Sequence, residues 1–190
     1  MRLAIFASGN GSNAQAIINH FKGNLTVNVA LVVTNNPHAG VKQRAEQAGI
    51  PVLHITRQQF IQGDAYVPTL QAHSIDFIVL AGFLWKVPPA LIAAYPNKIV
   101  NIHPALLPKY GGKGMYGHHV HAAVIANGET TSGITIHYVD EQYDHGATIF
   151  QATCEVLPSD TPDTLAARIH ELEHQHFPNI IEQVVAKSCG

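Results

Sequence analysis

Apolar residues along this chain follow two alternating rhythms. Leu3–Ala7 form a short continuous apolar run, and Ala14, Ile17, Ile18 and Phe21 then recur at helical spacing. Val27–Thr34 reads as a second strand, Val41–Ala48 as a helix closed by Gly49, and Pro51–Ile55 as a third strand. Residues 58–73 read as helix with a turn forced by Gly63 and Pro68. Phe77–Leu80 is a fully apolar strand, Ala90–Ala94 a short helix, and 98–102 a fifth strand. Continuous apolar strands separated by helices predict a parallel sheet covered on both faces.

The rhythm then changes. Residues 119–127 predict a helix ending at Gly128. Ile134–Val139 and Ala147–Leu157 both read as strands, and no helix fits between them, so they predict an antiparallel pair joined by a loop. A long helix starts at Pro162, with Thr161 as its N-cap. Leu165, Ile169, Leu172 and His176 share one face of it, and Pro178 predicts a kink. With no internal repeat, low-complexity run or linker, residues 1–190 read as one α/β domain.

Composition narrows the function classes. Hydrophobic residues make up 46% and charged residues 13% of the 190, which suits one well-buried core and excludes disorder. A net charge of -2 gives no electrostatic case for nucleic acid or an anionic membrane. Cys154 and Cys189 lack metal-type spacing, and Cys189 falls in an expected frayed tail. Two isolated thiols suit a reducing compartment. No apolar run approaches membrane-spanning length, and the first strand follows Met1-Arg2 directly, so a cytoplasmic location is expected.

Three constellations offer chemistry. Asn101 and His103 close the fifth strand two residues apart, which puts both side chains on one side of it. An amide and an imidazolium are both donors, suited to a developing oxyanion; the ordinary alternative is a pair of structural hydrogen bonds. Gly9-Asn10-Gly11-Ser12-Asn13 lies between the first strand and first helix, where backbone N–H groups approach an anion. It matches neither G-x-G-x-x-G nor a P-loop, and suits a monophosphate; the alternative is a plain strand-to-helix turn. Asp144 sits in the turn Tyr143-Asp144-His145-Gly146, which either caps its own backbone or returns the carboxylate toward His103. A carboxylate there favours the imidazolium.

The 13 histidines invite a metal reading. His170-Glu171-Leu172-Glu173-His174 matches H-E-x-x-H literally, but His176 is too close in sequence to serve as the usual third zinc ligand. With so many histidines the match is expected by chance. The cluster His118, His119 and His121 is read as a solvated face or a substrate contact rather than a metal site. No metal is expected.

In order along the chain, these motifs resemble a known family. Asn101-Ile102-His103-Pro104 with Leu106-Leu107-Pro108 is similar to the active-site segment of folate-dependent formyltransferases. Residues 133–146, from Gly133 to Gly146, resemble that family's second signature, and Gly9–Asn13 narrows the resemblance to the phosphoribosylglycinamide formyltransferase group. The resemblance covers nearly the whole chain. It implies a Rossmann-like formyltransferase fold and formyl transfer from 10-formyltetrahydrofolate, as co-substrate, to the amine of glycinamide ribonucleotide in purine biosynthesis. It implies that Gly11, Ser12 and Asn13 bind the phosphate and Glu173 the ribose. It implies that Leu84, Trp85, Lys86 and Val87, with Asn101 and the 140–144 loop including Asp140, receive the pterin. It implies that Asn101 and His103 hold the oxyanion while Asp144 sustains the imidazolium and assists proton transfer. The partners so implied are these two small molecules, with a homodimer as an option.

The chain departs from the usual pattern at Ala105, at Trp85-Lys86, at Gly63 and in a longer 110–117 loop, which bears on folate-tail contacts and loop motion. Rival readings differ in what they need. Methionyl-tRNA formyltransferase needs a further domain and a basic surface, and formyltetrahydrofolate hydrolase an N-terminal regulatory domain; neither feature is expected here. A sugar or other small-amine N-formyltransferase explains the glycine loop less well. A non-catalytic nucleotide-binding module has no use for His103.

Overall fold

The computed structural model describes residues 1–188, so Cys189 and its expected frayed tail lie outside the described residues. One seven-stranded sheet organises them, in the order β3-β2-β1-β4-β5-β6-β7. Its strands are β1 (Arg2–Phe6), β2 (Asn28–Thr34), β3 (Val52–His54), β4 (Phe77–Leu80), β5 (Ile99–His103), β6 (Thr131–Tyr138) and β7 (Thr148–Glu155). Pairings among β1–β5 are parallel, and β5-β6 and β6-β7 are antiparallel. The helices are α1 (Ser12–His20), α2 (Val41–Gln47), α3 (Val67–Ala72), α4 (Pro89–Ala94), α5 (His118–Ala126) and α6 (Pro162–Lys187).

Alternation along each strand feeds two separate apolar layers. On one face Ile5, Val79, Val100 and Ile136 pack against α1, α5 and α6 through Ile17, Val124, Ile169 and Phe177. On the other, Phe6, Leu31, Ile78 and Ile99 meet Phe60, Leu70 and Leu91 beneath α3 and α4. The chain runs outward from β1 to β2 and β3, then crosses back to β4 and β5. Strand order therefore reverses at β1, and a crevice opens beyond the C-terminal ends of β1 and β4, the usual ligand position in such sheets.

Residues 58–73 break at Gly63 as expected, into a π-helical turn at Gln58–Gln62 and α3. Three details differ from the sequence expectations. Pro68 lies in the first turn of α3, where its missing N–H costs nothing, rather than in a turn between helices. β6 begins at Thr131, three residues before Ile134, because Thr131–Gly133 pair with Thr153–Glu155 of β7. On α6 the buried stripe runs Leu165, Ile169, Glu173, Phe177 and Ile181, while Leu172 and His176 are only partly buried. Steps of four hold one helical face, and that face includes a carboxylate which apolar periodicity passes over. Thr161 caps α6 as expected, with its Oγ1 accepting from Thr164 N at 3.2 Å. The helix continues through Pro178 to Lys187.

Candidate active site

β5 ends in the crevice, and its pairing with β6 sets Asn101 opposite His137 and His103 opposite Thr135. His137 Nδ1 lies 2.7 Å from the carbonyl of Tyr138; a carbonyl only accepts, so Nδ1 carries the proton. Burial pushes the His137 pKa down, outweighing the upward pull of that carbonyl and of Asp144. The ring is therefore neutral, and its Nε2 accepts from Asn101 Nδ2 at 3.1 Å. This fixes which end of the Asn101 amide is the donor and leaves its second N–H free toward the cleft. Sequence reasoning left His137 without a role. Strand pairing was the signal that would have found it, since β5 and β6 place it across from Asn101.

His103 is 3% exposed. Its Nε2 donates to the Tyr110 carbonyl at 2.8 Å, so the other nitrogen, Nδ1, is the one turned to the chemistry. Asp144 Oδ1 lies 3.6 Å from that Nδ1 and 3.8 Å from His137 Nε2. The turn at Asp144, which is left-handed at φ 52°, thus carries its carboxylate back to the sheet edge instead of capping its own backbone. Asp144 Oδ2 accepts from Gly112 N at 2.9 Å. Asn101, His103 and Asp144 are brought together as the sequence pattern proposed.

Beside them is a cleft of about 70 Å³. Trp85, Lys86 and Val87 form one wall, and Val139, Asp140 and Tyr143 another, with Asn101, His137 and Asp144 at the base. Leu80, Phe83 and Gln142 also line it and were not singled out from sequence. Phe83 joins Trp85 and Phe60 in an aromatic cluster with centroids 5.6–6.3 Å apart, which stiffens the first wall. Leu84 is not part of the lining: its side chain is half exposed and its N–H donates to Ser8 Oγ at 3.0 Å. Lys86 Nζ stands 5.8 Å from the Tyr143 ring centroid across the two walls.

The glycine turn lies at the C-terminal end of β1. Gly11 is the N-cap of α1 at φ 78°, and no side chain caps the helix, so the N–H groups of its first turn are unclaimed. A Cβ on Gly11 would sit 2.6 Å from Val41 Cβ and 2.8 Å from Val41 Cα, so this position admits only glycine. Arg44 braces the turn from behind, donating from Nε to the Asn10 carbonyl at 2.8 Å. Asn13 Nδ2 donates to Glu173 Oε2 at 2.8 Å, joining two residues 160 apart, while Asn13 Oδ1 is buried without a partner. Burial raises the Glu173 pKa, against the pull of Asn13 and His174. Glu173, rather than a zinc-type histidine pair, is the inward residue of 170–174.

His170 and His174 stack on the outer face with centroids 6.4 Å apart. Among the described residues no group of three or more His, Cys, Asp or Glu side chains is placed to hold a metal ion. His118 is exposed beside Asp163, 3.5 Å away. His121 is 3% exposed, has no partner for Nδ1, and burial lowers its pKa to about 4. It is therefore neutral and not part of a solvated face, which corrects one reading of that cluster.

Residues 1–181 match the family model described as Formyl transferase. The chain belongs to that family. It is 40% identical over 186 residues to the chloroplastic phosphoribosylglycinamide formyltransferase of Arabidopsis thaliana, covering 95% of this chain and 64% of the relative. It is 44% identical to the chloroplastic enzyme of that name from Vigna unguiculata, covering 95% of this chain and 60% of the relative. The chain thus spans about three fifths of the length of these plant relatives. A solved phosphoribosylglycinamide formyltransferase from Bacillus Halodurans superposes with a TM-score of 0.89 at 39% identity, covering 99% of this chain and 97% of that one. The formyl transferase fold is therefore the observed one. Both plant relatives are chloroplastic by name, so the cytoplasmic expectation rests on the sequence alone. Among the described residues, no helix is long and apolar enough to cross a membrane.

Proposed function

We propose that this formyl transferase moves the formyl group of 10-formyltetrahydrofolate to the amine of glycinamide ribonucleotide, a step of purine biosynthesis. One observation carries the reading: Asn101, His103 and Asp144 converge beside the cleft, with Asp144 Oδ1 3.6 Å from His103 Nδ1. The unclaimed N–H groups at Gly11, Ser12 and Asn13 receive the phosphate, and Glu173 with the unpartnered Asn13 Oδ1 receives ribose hydroxyls. The pterin enters between Trp85, Lys86, Val87 and Asp140, with Leu84 contributing only the backbone that leads there. The 140–144 loop forms the wall that faces Trp85 and Lys86 across this cleft.

The chemistry follows from the donors. The amine nitrogen attacks the formyl carbon, and the carbonyl electron pair moves onto oxygen. The free N–H of Asn101 and the Nδ1–H of a protonated His103 meet that oxyanion. Asp144, with Oδ1 3.6 Å from His103 Nδ1, takes the proton that the attacking nitrogen must lose. Collapse restores the carbonyl and breaks the bond to folate nitrogen, which gains a proton; one proton lost and one gained balance the transfer. In the test, the protein is mixed with 10-formyltetrahydrofolate and the ribonucleotide, and products are read by mass spectrometry. Formylated ribonucleotide and tetrahydrofolate are expected in equal amounts. Tetrahydrofolate and formate formed at the same rate without ribonucleotide would replace this reading with the hydrolase.

A further inference from the structure

The tripeptide Tyr110-Gly111-Gly112 touches both catalytic ionisable groups. Its first carbonyl accepts from His103 Nε2 at 2.8 Å, and its last N–H donates to Asp144 Oδ2 at 2.9 Å. Between them Gly111 passes close to Asp144: a Cβ there would lie 3.3 Å from Asp144 Cβ and would displace the tip of the Leu107 side chain, 2.5 Å away. The strap therefore sets where His103 and Asp144 stand relative to each other. It also holds His103 in the tautomer that frees Nδ1.

The strap does not hold itself. Tyr110 adopts φ 56°, a left-handed conformation that strains a non-glycine residue and persists only with outside support. That support comes from packing of the Tyr110 ring against the core and from Glu129, after α5. Glu129 Oε1 accepts from the Tyr110 hydroxyl at 2.8 Å and from Lys109 Nζ at 2.9 Å. The same two hydrogen bonds keep the Glu129 carboxyl below its ordinary range, so it is ionised at neutral pH. We infer that Glu129 is a positioning residue: through the Tyr110 side chain it clamps the strap whose backbone aligns His103 with Asp144. Glu129 touches neither His103 nor the cleft; it is half-buried just after the turn that ends α5.

This inference rests on the formyl-transfer reading only for its kinetic arm. Glu129→Ala is expected to lower kcat about 10-fold, since misplacement of a catalytic group by 1 Å costs on the order of 100-fold, with both KM values within about twofold of wild type. Glu129→Gln keeps an acceptor for the Tyr110 hydroxyl and is expected to recover most of the loss. Tyr110→Phe should reproduce Glu129→Ala, and the double variant should be no worse than either single one. Nitrogen-15 NMR of His103 needs no substrate. In alkaline buffer, where the ring has lost its second proton, it should show a single Nε2–H tautomer in wild type and a tautomer mixture in Glu129→Ala. Wild-type kcat together with an unchanged His103 spectrum in Glu129→Ala overturns the proposal. Absence of ribonucleotide-dependent turnover in wild type sinks the functional reading instead, and the spectrum still decides the role of Glu129.

Discussion

β4 and β6 lie two strands apart in one sheet, yet their buried faces differ in kind. β4 is Phe77-Ile78-Val79-Leu80, buried throughout and wholly apolar. β6 is buried over a longer stretch but carries Ser132, Thr135 and His137 among its isoleucines. A buried polar group costs about 1–3 kcal/mol unless it is hydrogen-bonded, so polar residues persist inside where they have work. Thr135 and His137 shape the exit of β5, whereas Ser132 Oγ is buried without a partner. His137 orients the Asn101 amide. Thr135 Oγ1 donates to the Ala105 carbonyl at 2.7 Å and accepts from Leu107 N at 3.0 Å, fixing the segment after His103. The parallel half supplies stability, and the antiparallel half converts part of it into an aligned site.

The largest expected effect tests the polar half. Asn101→Ala removes one oxyanion donor and should lower turnover by roughly 100- to 1,000-fold while the circular dichroism spectrum stays native. A loss under about fivefold would make the Asn101–His137 bond merely structural. The matching change in the apolar half is Ile78→Ala. It should cost about 3 kcal/mol in denaturant unfolding, while turnover per folded molecule stays within about twofold. If that variant instead lost activity at full stability, the division between the halves would fail.

How these halves read from sequence follows from the same contrast. The strands of the parallel half announced themselves, because apolar runs bounded by turns have few other homes. Asn101, His103 and Asp144 were legible as a motif, and the Thr161 cap as a local pattern. His137 and Glu173 were harder. Both are polar residues on buried faces, and their partners, Asn101 and Asn13, are 36 and 160 residues away. Neither periodicity nor local spacing reports such a contact. Trp85 and Lys86 were named from motif, but the aromatic packing of Phe60 and Phe83 that holds that wall comes from elements far apart in the chain.

Two further changes sharpen the comparison at its buried ionisable groups. The folded pKa of His121, about 4, lies below the usual 6.5. The unfolded chain therefore binds more protons as pH falls from 6.5 toward 4, and stability is full above that window and lost through it. The loss amounts to roughly 3 kcal/mol at most. Denaturant unfolding at pH 7 and pH 4.5 should show that this part of the acid sensitivity disappears in His121→Phe; an unchanged difference would contradict it. Glu173 shifts the other way. Its raised folded pKa means that its burial favours folding only below the unfolded value and opposes it as pH rises. Glu173→Gln should therefore gain on wild type in stability as pH rises from 4 to 7. Calorimetry should show it binding the ribonucleotide about tenfold more weakly, the cost of a lost charged hydrogen bond. Equal affinity would take Glu173 out of the substrate site.

The central claim, that the polar layer beside β5 performs formyl transfer, is tested most directly by the turnover of His103→Ala with glycinamide ribonucleotide and 10-formyltetrahydrofolate. The measurement is made on protein whose unfolding midpoint is compared with wild type in the same buffer. The account predicts folded protein with a rate at least about 100-fold lower. Folded His103→Ala protein turning over near the wild-type rate would contradict it.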